Sequence, residues 1–138
     1  MKLETFDSEV FLSEYWQKKP LLIRNPWASW ENPVEPAELA GLACEEMVES
    51  RLIIGGSTGA TVENGPLKPS RFDTLGRKDW TLSVQAVDHH SSEVADMLTP
   101  FRFIPNWRID DVMVSYAADG GGVGAHFDQY DVFLVQGL

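Results

Sequence analysis

The chain has 138 residues, close to the usual size of one domain, and its 43% hydrophobic content with five Trp, seven Phe and three Tyr excludes a disordered polymer. A formal charge of −10 without a basic cluster argues against direct contact with nucleic acid, and no apolar run approaches the roughly 18 residues of a membrane span. Met1–Tyr15 lacks a cationic and apolar leader pattern and the single Cys44 has no internal partner, so a soluble, reducing, cytoplasmic setting is expected.

In chain order, Asp7 is suited to cap a helix running to about Lys18, with Val10, Phe11, Leu12, Tyr15 and Trp16 as its apolar face and Pro20 as its stop. Leu21–Arg24 reads as a short strand and Asn25–Pro33 as a loop. Pro36 opens a second helix to about Glu49, with Leu39, Leu42, Ala43 and Met47 at helical spacing and Cys44 beside them as filler. Arg51–Ile54 is expected as a strand, followed by turns at Gly55–Gly59 and Asn64–Pro66. Trp80–Val87 alternates Trp80, Leu82, Val84 and Ala86 against Thr81, Ser83 and Gln85, the pattern of a half-buried strand. Ser91 or Ser92 caps a helix to about Leu98, closed by Pro100, and Asp110–Tyr116 and Asp131–Gln136 read as two further strands. The order implies an α+β domain with its strands gathered toward the C-terminus.

Between those last two strands lies Gly120–Asp131, which carries an H-x-D pair, His126 and Asp128. On a strand, residues i and i+2 share a face. One imidazole and one carboxylate so placed supply two of the three ligands of a 2-His-1-carboxylate Fe(II) site. A third ligand is not visible. His89 and His90 lie upstream and are expected in a solvent-facing loop, and as neighbours on a strand they would face opposite ways. Asp131 is a rival carboxylate, but five residues from His126 it falls on the other face of a regular strand. The glycines do not read as a phosphate cradle, because a helix would have to follow them and residues 126–136 are aromatic and β-branched.

Trp107–Ser115 and Gly120–Phe133, together with Tyr15–Pro20, Glu38–Ala43, Ser50–Leu52 and Trp80–Val87, resemble the JmjC-type cupins of the bacterial ribosomal oxygenase family, the ribosomal protein arginine hydroxylases. The resemblance covers nearly all of this chain and about the first third of a family member. It implies an N-terminal portion (1–138) of a JmjC/cupin domain: helices and strands over 1–105, then over 106–138 the start of a double-stranded β-helix whose barrel is incomplete. It further implies Fe(II) held by His126 and Asp128, with 2-oxoglutarate as cosubstrate, Ser115 lining its pocket, and hydroxylation of a side chain on a ribosomal protein.

The family's distal histidine and the basic anchor for 2-oxoglutarate would fall beyond Leu138, and no Lys or Arg follows Arg108. Ala125 stands where the family commonly has proline. The resemblance therefore implies a truncated or partial dioxygenase, inactive as these 138 residues alone; the alternative is a non-catalytic module that binds a basic ribosomal segment or a full-length oxygenase. Ile109–Leu138 holds Asp110, Asp111, Asp119, Asp128 and Asp131 and no cation, which suits a basic partner. An unpaired apolar strand at Val132–Leu138 would invite self-association. No membrane partner is expected.

Overall fold

A computed structural model of the chain describes residues 3–55 and 59–137. The fold is α+β, as expected, built on one antiparallel four-stranded sheet of order β2-β1-β3-β4. Its strands are β1 (Ser50–Ile54), β2 (Thr61–Asn64), β3 (Trp80–Val84) and β4 (Val114–Ala117). The helices are α1 (Ser8–Val10), α2 (Pro36–Leu42), α3 (Pro69–Phe72) and α4 (Ser92–Asp96). The sheet is open among the described residues, with β2 and β4 as its edges.

Register decides what is buried. Leu52 lies opposite Leu82, and Ser50 opposite Val84, so the even-numbered residues of β1 and β3 share one face. Leu39 and Ala43, from α2 and its C-terminal cap, pack there with Leu67, Val87 and, from α4, Val94. The sequence expects β3 to be half-buried, yet Thr81 and Ser83 on its other face are 2% and 7% exposed. β3 is an interior strand, and the glycine segment after β4 closes over Thr81.

Several boundaries differ from the sequence reading, each for a local reason. Asp7 does cap the first helix, accepting from the amides of Glu9 and Val10 at 2.9 and 3.0 Å. The helix then widens into a π-turn over Phe11–Tyr15, where Trp16 N–H reaches Phe11 O at 2.9 Å, and ends well before Lys18 as Gln17 takes a positive φ of 56°. Leu21–Arg24 forms no strand. The second helix stops at Leu42, not near Glu49; Glu45 and Glu46 would oppose the negative end of its dipole. Ser91, of the two candidate serines, caps α4 through its contact with Val94 N–H at 3.3 Å.

Gly55 and Gly59 flank residues 56–58, so most of that expected turn lies outside the described residues. β2 and α3 are elements that the sequence reading missed. β4 begins at Val114 and not at Asp110, because residues 111 and 112 are tied instead to the bend after β3. Asp111 Oδ2 accepts from Ala86 N–H at 2.7 Å, and Val112 N–H donates to Asp88 Oδ1 at 2.8 Å. Asp131–Gln136 carries no regular secondary structure and joins no ladder, because no described strand pairs with its backbone.

Candidate metal centre

The H-x-D pair does not ride on a strand; it sits in an irregular loop that leaves β4 and is fixed at both ends. At the near end, Ala118 N–H donates to Trp80 O at 3.0 Å and Asp79 N–H donates to Asp119 O at 2.8 Å. Lys78 Nζ adds an exposed ion pair with Asp119 Oδ2 at 3.1 Å. Gly120 then turns with a φ of +76°, a conformation that favours glycine. At the far end, Gln17 Nε2 donates to Asp131 Oδ2 at 3.1 Å, and Phe133 inserts among Phe11, Trp16, Phe101 and Phe103 with centroid separations of 4.5 to 6.3 Å.

Between these tethers, His126 Nε2 lies 3.9 Å from Asp128 Oδ2. His126 Nδ1 is 3.0 Å from the Gly124 carbonyl oxygen, which can only accept, so Nδ1 donates this bond and Nε2 is the ring nitrogen left for a metal. One ring nitrogen donating to a backbone carbonyl, with the other left for the metal, is the pattern metal-ligating histidines use. Neighbouring ligands of an octahedral ion, each at about 2.1 Å, stand roughly 3 Å apart, so the pair must close by about 1 Å to share one. Both side chains are about half exposed. The nitrogen-plus-oxygen donor set fits a divalent first-row metal. Among the described residues no group of three His, Cys, Asp or Glu side chains converges on one point, so the structure brings two ligands together and not three.

The remaining candidates divide clearly. Asp131 is engaged by Gln17, away from His126. His89 and His90 are exposed, as expected, and border a polar cleft of about 390 Å³ with Asp110, Asp111 and Tyr130. Ser115, directly opposite Ser83 across β3 and β4, shares a 2.8 Å hydroxyl–hydroxyl hydrogen bond with it, and Thr81 lies on the same face. The sequence reading missed Ser83 and Thr81, because alternation assigned that face to solvent. Thr81 Oγ1 is buried without a hydrogen-bond partner among the described residues.

Comparison with known proteins places these features in context. Residues 96–138 match the JmjC domain. The chain is 46% identical over 127 residues to the ribosomal protein uL16 3-hydroxylase of Escherichia coli strain K12, covering 92% of this chain and 34% of that protein. It is 44% identical over 135 residues to a probable ribosomal oxygenase of Haemophilus influenzae, covering 97% and 33%. Among solved structures it is similar to YcfD, a ribosomal oxygenase from Escherichia coli, in complex with cobalt and 2-oxoglutarate. That match has a TM-score of 0.86 at 42% identity and covers 93% of this chain and 35% of the other. A complex of the same enzyme with cobalt and succinic acid matches equally well. The chain thus spans about a third of the length of its relatives.

Proposed function

We propose that this chain, a relative of the JmjC ribosomal oxygenases across nearly its whole length, supplies the first two iron ligands of an Fe(II)- and 2-oxoglutarate-dependent protein hydroxylase. The observation that carries the reading is the His126–Asp128 pair, with Nδ1 engaged by Gly124 O and Nε2 on the side of the carboxylate. Bound there, the metal would couple oxidative decarboxylation of 2-oxoglutarate to hydroxylation of a carbon on the target residue. The chain's own part is to present one imidazole nitrogen and one carboxylate oxygen from a loop held at both ends. Ser115 and Ser83 add a hydroxyl pair on the sheet face that the glycine segment partly covers, suited to hydrogen-bond a polar cosubstrate. Among the described residues no third ligand joins the pair, and these 138 residues alone are expected to bind metal without turnover.

The test is titration of the purified chain with Co(II) under calorimetry, alongside His126→Ala and Asp128→Ala. Each substitution is expected to weaken binding at least tenfold while the far-ultraviolet circular dichroism stays unchanged. Unaltered affinity in both would sink the site. Succinate formation from 2-oxoglutarate by the unmodified chain would overturn the expectation of binding without turnover.

A second reading, a non-catalytic module for a basic ribosomal segment, draws on the five acids and no cations of residues 109–138. Salt-sensitive binding of an arginine-rich peptide that survives His126→Ala would favour it.

A further inference from the structure

The loop bearing His126 and Asp128 begins where two backbones touch. Gly121 lies over the first residues of β3, its own N–H donating to Ala118 O at 2.8 Å. A Cβ on Gly121 would overlap the Trp80 carbonyl oxygen and come within 2.9 Å of both Ala118 O and Thr81 Oγ1. Two of these three obstacles are backbone, which no rotamer change can move aside. The Trp80 oxygen is also the acceptor of the Ala118 N–H bond that holds the loop's root. Gly122, one residue on, has nothing within 4 Å of its Cβ position.

We propose that Gly121 is a positioning residue for the metal-binding loop: its missing side chain sets how closely the loop root lies on β3, and through that where His126 and Asp128 stand. The inference rests on the reading of those two residues as metal ligands, but its central claim concerns backbone distance. A methyl group here must lift the root away from Trp80 O, breaking or stretching the Ala118 bond. The far tether at Asp131 and Phe133 stays fixed, so the displacement is absorbed in residues 122–130, where the ligands are. Gly122→Ala meets no such obstacle and serves as the internal control.

The experiment compares the unmodified chain, Gly121→Ala, Gly122→Ala and His126→Ala, by residue-resolved amide hydrogen exchange and by Co(II) titration. Gly121→Ala is expected to lose at least tenfold in exchange protection at Ala118 N–H and at least tenfold in Co(II) affinity, with β1 and β3 amides still protected. Gly122→Ala should match the unmodified chain in both measurements. Equal protection at Ala118 in the two glycine variants would overturn the proposal. So would loss of protection throughout β1 and β3 in Gly121→Ala, since the residue would then serve folding of the sheet and not placement of the loop. If His126→Ala leaves Co(II) binding unchanged, the metal reading fails, while the exchange comparison still decides the role of Gly121.

Discussion

At the scale of single residues, the acids that look alike in the sequence divide by what their oxygens hold. Asp111 accepts the Ala86 amide, Asp119 pairs with Lys78, and Asp131 receives Gln17, leaving Asp128 facing His126. Only the Lys78 contact brings a cation, so the segment keeps its negative field even though most of its carboxylates have structural work. Glu63 shows the same economy on β2. Arg71 donates to it through Nε and Nη2 at 2.9 and 2.8 Å, and these hydrogen bonds first, then the guanidinium charge, hold its carboxyl below the ordinary glutamate value. A carboxylate with a lowered folded-state pKa stabilises the fold above its unfolded value, about 4.3, and that contribution fades as pH falls through the folded value. Nuclear magnetic resonance titration of Glu63 should therefore show a depressed midpoint, which Arg71→Gln returns to the ordinary range; an unchanged midpoint would rule out the pairing as its cause.

At the scale of elements, β3 organises the molecule, because it pairs on both sides and is buried on both faces. Leu52→Ala on its neighbour β1 removes a side chain that is 0% exposed and is expected to cost about 2–5 kcal/mol in chemical denaturation. Val62→Ala on the edge strand β2, where the side chain is 55% exposed, should cost well under 1 kcal/mol. Similar losses in both would contradict the burial difference. The strands at Arg51–Ile54 and within Trp80–Val87 were legible because β-branched and alternating residues carry a local signal. β2 was not, since Thr61–Asn64 has a single large apolar residue and is a strand only because β1 offers its edge. The H-x-D pair was legible as a pair and wrongly placed on a strand, since its composition is strand-like but no described neighbour accepts its backbone. The nearness of His126 to Asp128 survives that correction, being a matter of two-residue spacing and a local turn. The role of Gly121 lay beyond the sequence, where it is one of three consecutive glycines and only tertiary contact tells them apart.

At the scale of the whole molecule, none of the described helices is long and apolar enough to cross a membrane. The charge of −10 opposes the pull of exposed apolar side chains, among them Leu134 at 91% and Phe127 at 84%, and of the edge of β4, which no described strand covers. Raising the salt screens the charge but not the apolar surface, so sedimentation velocity should show a monomer at low ionic strength and reversible association near about 0.5 M NaCl. Leu134→Lys should shift that onset to higher protein concentration; association that ignores both salt and the substitution would point to a different surface. The far tether carries a consequence in time. Gln17 and Asp131 are 114 residues apart, and Phe133 closes against Phe11 and Trp16, so the ligand loop depends on some of the longest-range contacts in the molecule. Contacts of such separation form late, because the intervening residues must first be ordered. During synthesis, His126 and Asp128 emerge before Asp131 and Phe133, and Phe11 and Trp16 wait through the synthesis of more than a hundred residues for Phe133. The metal loop thus waits on contacts that form late, and a nascent chain halted between residues 128 and 131 would display both ligands with only the near tether to hold them.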